Sequence, residues 1–151
     1  MICYLDTSAL VKLYVQEPGS EMVRKLVDEA SVVATSKVAY PEARAALARG
    51  FRDGLLEEKD YRQVLAALQS DWPRYLAFEV SDSLAWLAGE VAEKHRLRGF
   101  DAIHLAAAVT LKTQVEGRIV AACFDDRLWE ALCAVDLEVV PEVKPSLVLG
   151  G

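Results

Sequence analysis

The chain has 151 residues, of which 53% are hydrophobic and 26% are charged, and its formal net charge is −6. A chain of this length fits one domain and can bury a core without disulfide or metal staples. Its longest run without Asp, Glu, Lys or Arg is residues 102–111, about half of the ~20 apolar residues in a membrane-spanning helix, so no membrane segment is expected. The acidic balance argues against nonspecific binding to nucleic acid, for which a basic face is expected.

The amino-terminal residues do not have the pattern of a signal peptide, because Asp6 and Lys12 interrupt any apolar core. We therefore predict a cytoplasmic protein with reduced thiols. Its three cysteines, Cys3, Cys123 and Cys133, are flanked by apolar residues, and we interpret them as small core residues.

Short apolar runs typical of β-strands alternate along the chain with helical patterns. The predicted strands are residues 2–5, 32–35, 75–80, 119–124 and 137–140. The predicted helices are residues 8–15, 20–30, 37–52, 57–70, 83–96, 101–112 and 126–135. Because no two strands are joined by a tight turn, we expect a mostly parallel sheet covered by helices on both faces. Right-handed crossovers make this α/β fold a Rossmann-like three-layer α/β/α sandwich.

Local signals set some of the boundaries. Ser36 is predicted to cap the helix over residues 37–52, and Pro41 suits its first turn or a kink. Residues 1–145 are predicted to form the single domain, and residues 146–151 a loose carboxy-terminal tail.

Four acidic residues stand beside otherwise apolar segments that this fold can bring to one edge of the sheet. Asp6 follows the first predicted strand, and Asp125 follows the run IVAACF of the fourth. Asp101 opens the helix in RGFDAIHLAAA, and Glu42 lies in the first turns of the helix in AYPEARAAL. Since ligands of open α/β sheets bind beyond the carboxyl ends of the strands, we expect these side chains to share one crevice.

Each acid also has an ordinary interpretation. Asp101 or Asp125 alone could be only a helix cap or a partner of the helix dipole. Asp6 is harder to explain in that way, because Thr7 or Ser8 could cap the helix instead. Four carboxylates in one crevice would repel one another unless a cation lay among them, and such oxygen ligands suit Mg²⁺ or Mn²⁺. The sequence lacks the His and Cys spacing of a zinc site.

The segments LDTSALVKLY, PEARAAL, RGFDAIHLAAA and FDDRL, in this order and at this spacing, closely resemble the PIN-domain ribonucleases. The resemblance covers essentially the whole chain and is strongest to the VapC-type toxins of bacterial and archaeal toxin–antitoxin pairs. It implies that Asp6, Glu42, Asp101 and Asp125 form an acidic quartet that binds one or two Mg²⁺ or Mn²⁺ ions and cleaves RNA. The family usually has Thr or Ser two residues before the fourth acid, where this chain has Cys123.

The resemblance also implies partners. VapC-type toxins commonly form homodimers and are held inactive by a cognate small antitoxin with an extended inhibitory tail. An arginine of such a tail can pair in bidentate fashion with carboxylates and block the phosphate site. The apolar residues of the helices over 20–30 and 37–52 predict a groove between them for a partner's helix.

Several other residues have both a functional and a structural interpretation. Arg44, Arg98 and Arg127 could contact RNA phosphates or be ordinary surface charges. His104 could be a proton shuttle, but we favour a hydrogen-bonded, partly buried structural residue. The tryptophans are interpreted as packing residues rather than base-stacking ones. They are Trp72, Trp86 and Trp129.

Other classes of protein fit less well. A haloacid-dehalogenase-type phosphatase needs a second acid two residues after the first, where this chain has Ser8. A response-regulator receiver needs an acceptor Asp on a later strand, and no such arrangement is present. Two alternatives remain open within the family: an RNA-processing nuclease without an antitoxin, and a non-catalytic PIN-like interaction module. The four acids argue against the module, and the compact single domain favours the toxin.

Overall fold

The computed structural model describes residues 1–149, whose strands form one five-stranded sheet between two layers of helices. The strands are β1 (Ile2–Leu5), β2 (Val32–Ser36), β3 (Leu76–Phe78), β4 (Ile119–Ala122) and β5 (Glu138–Val140). The helices are α1 (Thr7–Tyr14), α2 (Ser20–Glu29), α3 (Ala39–Arg52), α4 (Glu58–Asp71), α5 (Asp82–His95), α6 (Gly99–Gln114), α7 (Asp126–Ala134) and α8 (Pro145–Val148). A short 3-10 helix, Trp72–Arg74, joins α4 to β3.

The strands follow the order β3-β2-β1-β4-β5, and all neighbouring pairs are parallel. β1 lies in the centre, where Ile2 pairs with Val32 on one side and with Ile119 on the other. The chain leaves β1 toward β2 and later returns to its other side, so the topological switch point lies at β1. Ligand sites of such sheets form beyond the carboxyl ends of the strands at this point. The predicted three-layer α/β/α sandwich with a parallel central sheet is confirmed.

Alternation along the strands supplies a core on each face of the sheet. In β1, Cys3 and Leu5 pack toward α1, α2, α3 and α4, whereas Tyr4 packs toward α5, α6 and α7. In β4, Val120 belongs to the first core and Ala121 to the second. Strands buried on both faces in this way are typical of parallel sheets covered by crossover helices.

Two helix starts differ by two residues from the sequence prediction. α3 begins at Ala39 rather than after Ser36, because Ser36 still pairs with Phe78 as the last residue of β2. α6 begins at Gly99, two residues before the expected start, because the carbonyl of Arg98 already accepts the N–H of Ala102. Asp101 therefore lies within the first turn of α6 rather than at its opening.

The carboxy-terminal segment is helical where a loose tail was expected. Within α8, the Ser146 N–H donates to Asp126 Oδ1 at 3.0 Å, and Lys144 forms an ion pair with Glu130 just before it. These contacts hold α8 against α7. Gly150 and Gly151 of the expected tail lie outside the described residues, and the domain boundary at residue 145 stays a prediction.

Two of the three cysteines are buried, as predicted for core residues. Cys3 and Cys123 are buried, but Cys133 is exposed, so its assignment to the core was wrong. Cys133 lies near the end of α7, on the side of the helix that faces away from the sheet. In residues 1–149, none of the helices combines the length and apolar character needed to cross a membrane.

The tryptophans do not all pack as expected. Trp72 packs against Tyr40 with ring centroids 5.1 Å apart, and Trp129 Nε1 donates to the carbonyl of Pro141 at 2.8 Å. Trp86 is 79% exposed, so its interpretation as a packing residue was wrong. Its position on α5 points outward because Leu84 and Ala88 of the same helix take up the core-facing side.

Candidate active site

The four predicted acids line one cleft of about 660 Å³ at the carboxyl end of the sheet. Asp6 directly follows β1, and Asp125 comes three residues after the end of β4. Glu42 comes from the first turn of α3 and Asp101 from the first turn of α6. The fold therefore brings together side chains from four separate parts of the sequence, at the place that parallel-sheet topology favours for a ligand.

Asp6 is a buried carboxylate with several hydrogen-bond donors around it. Its Oδ1 accepts the Ala9 N–H at 2.9 Å, and the Ser8 hydroxyl lies 2.7 Å from Oδ1 and 2.9 Å from Oδ2. Asp6 is therefore itself the N-cap of α1, and the alternative in which Thr7 or Ser8 caps this helix is wrong. Burial raises the pKa of Asp6 even though these hydrogen bonds oppose the shift. The Asp6 side chain thus caps α1 and also lines the cleft.

Cys123 takes the place of the expected hydroxyl beside the first and fourth acids. Its Sγ lies 3.3 Å from Asp6 Oδ2 and 3.4 Å from the backbone oxygen of Asp125. Burial and the charge of Asp6 raise the pKa of the Cys123 thiol, so the group stays protonated and can donate. Because a thiol is a weak donor, the supporting contact to Asp6 is present but weaker than a hydroxyl would make.

Asp101 and Asp125 face each other's charge across the cleft. Burial, followed by the charges of Asp125 and Asp6, raises the pKa of Asp101 to about 6. Asp125 is more exposed and caps α7, since its Oδ1 accepts the Leu128 N–H at 2.9 Å. Its neighbour Asp126 is bound to the α8 backbone and is absent from the cleft lining. Of the two adjacent acids, Asp125 is thus the one that lines the cleft.

Glu42 is held by two side chains that the sequence did not assign to it. Thr7 Oγ1 donates to Glu42 Oε1 at 2.6 Å, and His104 Nε2 lies 3.1 Å from the same oxygen. His104 Nδ1 in turn lies 2.8 Å from the phenolic oxygen of Tyr4. Burial would raise the pKa of Glu42, but the hydrogen bonds from His104 and Thr7 outweigh it, so this pKa lies below its ordinary value. Glu42 is therefore ionised at neutral pH.

The surroundings of His104 identify the nitrogen that carries its hydrogen. Thr7 Oγ1 lies 3.0 Å from Nε2 but gives its own hydrogen to Glu42, so both groups beside Nε2 are acceptors. Nε2 therefore carries the hydrogen, and Nδ1 accepts from the phenol of Tyr4. Burial, together with the charges of Asp6 and Glu42, raises the pKa of Tyr4, so the phenol keeps the hydrogen that it donates. His104 is thus a hydrogen-bonded structural residue, and its Nε2–H orients Glu42.

The donor set suits a divalent cation, although the side chains are not gathered into a finished ligand cage. Within residues 1–149, no group of three or more His, Cys, Asp or Glu side chains meets the geometry of a preformed metal site. Glu42 is turned toward Thr7 and His104, and Asp6 toward the start of α1. The acids that line the cleft nevertheless offer carboxylate oxygens, the ligands that Mg²⁺ and Mn²⁺ prefer, and a cation would relieve the repulsion that contributes to the raised pKa of Asp101.

Two basic side chains that the sequence did not single out line the same cleft. Arg49 lies two helical turns after Glu42 on α3, and this seven-residue spacing was the signal that could have found it. Lys12 of α1 pairs with Glu17 at 3.0 Å and lies over the ring of Phe124 at 4.6 Å. Because Glu17 also lines the cleft and balances the charge of Lys12, Arg49 is the side chain that brings net positive charge to a cleft dominated by acids.

The three arginines proposed for phosphate contacts occupy different places. Arg44 donates to the Tyr40 hydroxyl at 3.0 Å and does not line the cleft. Arg98 lines an adjoining cavity with Glu42 and Asp101, whereas Arg127 lines a separate cavity.

One end of the cleft is apolar. It is lined by Val11 of α1, by Ala45 and Ala46 of α3, and by Leu149. The groove expected between residues 20–30 and 37–52 is instead formed between α1 and α3, because α1 packs against both α2 and α3 and α2 contributes nothing to the lining.

Comparison with known proteins gives the family of the chain. A model of the PIN domain matches residues 3–132. The chain is 36% identical over 144 residues to Ribonuclease VapC49 of Mycobacterium tuberculosis, covering 93% of this chain and 95% of that protein. It is 33% identical over 137 residues to Ribonuclease VapC46 of the same organism, covering 91% of this chain and 95% of that protein.

Solved structures agree with the fold. The FitAcB structure from Neisseria gonorrhoeae matches with a TM-score of 0.66 and 21% identity, over 92% of this chain and 96% of that one. Mycobacterium tuberculosis VapC20, described as a sarcin-ricin loop cleaving toxin, matches with a TM-score of 0.64 and 21% identity, over 95% of this chain and 99% of that one. The chain belongs to the PIN-domain family, and its curated relatives within that family are ribonucleases named VapC.

Proposed function

We propose that this protein is a Mg²⁺- or Mn²⁺-dependent endoribonuclease of the cytoplasm, and the toxin of a VapBC-type toxin–antitoxin pair. The observation that carries the proposal is the convergence of Asp6, Glu42, Asp101 and Asp125 in one cleft. Their sequence positions match the acidic quartet of the family, and the relatives at 36% identity are ribonucleases.

Cleavage of an RNA phosphodiester needs charge neutralisation at the phosphate and an oriented water. A divalent ion held by the four carboxylates would supply Lewis acidity and a more acidic bound water. The chain's own residues prepare the carboxylates for that role. His104 and Thr7 keep Glu42 ionised and fixed, while Ser8 and Cys123 donate to Asp6.

The acid excess of the chain is compatible with an RNA substrate if positive charge is concentrated at the site. A bound cation reverses the local potential where the phosphate must lie. The charge of Lys12 is balanced by Glu17, whereas Arg49 lines the same cleft and adds positive charge there. Arg98 adjoins it through a cavity of about 470 Å³ that it shares with Glu42 and Asp101.

A small antitoxin is the proposed inhibitor. The solved neighbours include VapBC2 from Rickettsia felis bound to a DNA fragment from its promoter, and a toxin–antitoxin complex from Klebsiella pneumoniae. In this chain the acids continue into an apolar end formed by Val11, Ala45 and Ala46. A partner segment that carries an arginine among apolar residues would match both halves of this cleft.

We also propose a homodimer, as the family resemblance implies. The large exposed apolar side chains of Trp86 and Phe100, 79% and 58% exposed, offer surface that a second copy could cover.

The toxin proposal predicts a small antitoxin gene beside this one, and it is tested by expression in a host cell with and without that small protein. Wild-type protein should slow growth, and Asp101→Asn should abolish the effect because it removes a carboxylate from the cleft. Lys59→Gln changes an exposed residue of α4 and should leave the growth defect intact. Co-expression of the neighbouring small protein should restore growth.

The alternatives give different results in the same experiment. RNA cleavage in vitro without any growth defect would favour an RNA-processing nuclease that has no antitoxin. Neither cleavage nor a growth defect would favour a non-catalytic interaction module.

A further inference from the structure

A further cavity, of about 390 Å³, lies between the end of α5 and one side of α7. Its lining residues are His95, Arg96, Arg127, Glu130, Ala131 and Ala134. In a chain with a net charge of −6, a cavity lined by two arginines and a histidine is a local reversal of sign.

The arginines here lack carboxylate partners. Within residues 1–149, no carboxylate lies within ion-pairing distance of Arg96, Arg98 or Arg127. The acid of the cavity, Glu130, already forms an ion pair with Lys144. Several other basic side chains of the protein do reach a carboxylate. They are Lys12, Lys37, Arg62, Arg74 and Arg118.

The basic cavity adjoins the carboxylate cleft through short stretches of chain. Arg127 lies two residues after Asp125, at most about 7 Å along the backbone. Arg98 caps the start of α6 and lines a cavity together with Glu42 and Asp101. These short segments place the Cα atoms of Arg96 and Arg127 within about 7 Å of Arg98 and Asp125, which line the adjoining cavity and the carboxylate cleft respectively.

The turn between α5 and α6 brings these arginines to the same edge. Arg96 ends α5 in the left-handed conformation, with φ 55° and ψ 45°, and its N–H donates to the Ala92 carbonyl. Two residues later Arg98 begins α6. The reversal allows Arg96 to reach the cavity beside α7 while Arg98 lies next to Asp101.

We propose that Arg96 and Arg127, with Arg98 beside them, form a subsite that binds a backbone phosphate of the RNA strand next to the cleavage point. The inference rests on the proposed ribonuclease function, because it concerns the substrate of the same site. Guanidinium groups match phosphate oxygens in a bidentate geometry and remain charged at every working pH. When one phosphate of an RNA strand lies in the carboxylate cleft, a neighbouring phosphate of that strand must lie close to the cleft. Arg96, Arg98 and Arg127 are near this position and have no carboxylate partner within residues 1–149.

The test is equilibrium binding of a fluorescein-labelled, single-stranded 12-nucleotide RNA, measured by anisotropy over a series of salt concentrations. Every protein carries Asp101→Asn so that no cleavage occurs during the measurement. The test variant adds Arg96→Asn and Arg127→Gln, and Asn is chosen because it tolerates the left-handed conformation at residue 96. The control adds Lys25→Gln and Lys59→Gln, which remove the same charge from exposed residues of α2 and α4.

The test variant should bind the RNA about 10-fold more weakly at low salt, and its log–log salt slope should fall by about 0.7, the value for one lost phosphate contact on a single strand. The control pair should keep the slope and affinity of the parent. Equal binding by the test variant and the parent, or equal losses in the test and control variants, would overturn the subsite. Because RNA cleavage by the unmodified protein is measured separately, failure of the ribonuclease function would be distinguished from failure of the subsite.

Discussion

His104 Nε2 lies 3.1 Å from Glu42 Oε1, and the other nitrogen of the same ring is hydrogen-bonded to the Tyr4 phenol. His104 is 2% exposed and lies one helical turn after Asp101 on α6. A single helix thus provides one acid of the cleft and the donor that orients another. The orientation of Glu42 depends on a buried chain of hydrogen bonds that begins on the central strand β1.

Removal of the Tyr4 hydroxyl tests this chain. Tyr4→Phe leaves Nδ1 of the buried His104 without its donor, which should lower the free energy of unfolding by about 1–3 kcal/mol. RNA cleavage should also fall, because the His104 ring no longer has a fixed tautomer toward Glu42. Denaturant unfolding and initial cleavage rates measure the two effects.

Tyr61→Phe is the matched control. Tyr61 stacks on Phe51 with ring centroids 4.9 Å apart, and its hydroxyl makes no side-chain hydrogen bond in residues 1–149. This change should leave cleavage and stability within error of the parent. If Tyr4→Phe behaved in the same way as the control, the Tyr4 contact would have no part in positioning Glu42.

The raised pKa of Asp101 predicts how stability depends on pH. In the metal-free protein this pKa is about 6, above the ordinary value of about 4 expected in the unfolded chain. A raised folded-state pKa contributes stability that is fully present below pH ~4 and is lost as the pH rises through about 6. In EDTA, Asp101→Asn should therefore raise the melting temperature at pH 7.5 and have little effect at pH 4.

Asp60→Asn separates this effect from the helix dipole. Asp60 and Asp101 both lie in the first turn of a helix, but Asp60 is exposed and lies outside the cleft. Its substitution should leave the melting temperature unchanged or slightly lower at pH 7.5. A stabilisation by Asp101→Asn that was no larger at pH 7.5 than at pH 4 would argue against charge repulsion in the cleft.

Cys123 predicts a graded series of variants. Cys123→Ser replaces a weak donor to Asp6 with a stronger one, so folding and RNA cleavage should be kept or improved. Cys123→Ala removes the donor, and loss of one such hydrogen bond should raise the barrier to cleavage by about 1 kcal/mol. The cleavage rates of Cys123→Ser and Cys123→Ala are measured under the same conditions. Cys133→Ala, at an exposed position, is the control. Equal rates for the Ser and Ala variants would show that the Asp6 contact is unimportant.

The sheet and the cleft could be predicted from the sequence because each depends on local pattern. Apolar runs alternating with helical segments require a parallel sheet, and parallel strands end at a common edge. Asp6 and Asp125 come after two such runs, so the topology alone predicts that they lie close together. Asp101 was expected at the same edge because it opens an apolar helix in RGFDAIHLAAA, and the resemblance of this motif to the PIN-domain family supports its place.

Other features depend on contacts between distant parts of the chain. Tyr4 and His104 are 100 residues apart, and nothing in the local pattern of β1 distinguishes a hydrogen-bonded phenol from a packing aromatic. Ser36 has the sequence of a helix cap, but pairing with β3 keeps it in β2. Trp86 lies at helical spacing and was interpreted as a packing residue, whereas Leu84 and Ala88 occupy the core-facing side of α5 and leave Trp86 exposed. In each case tertiary contacts decided against the local preference.

The central claim is that the carboxylates of one cleft act with a divalent ion to cleave RNA. The most direct measurement follows a 5′-labelled structured RNA incubated with the purified protein in Mn²⁺, in excess EDTA, and with Asp6→Asn or Asp101→Asn in Mn²⁺. We predict internal cleavage by the wild-type protein in Mn²⁺ alone, and a loss of about 100-fold or more in either variant, as for other preorganised charged groups. Cleavage at the wild-type rate in EDTA, or by both variants in Mn²⁺, would contradict the claim.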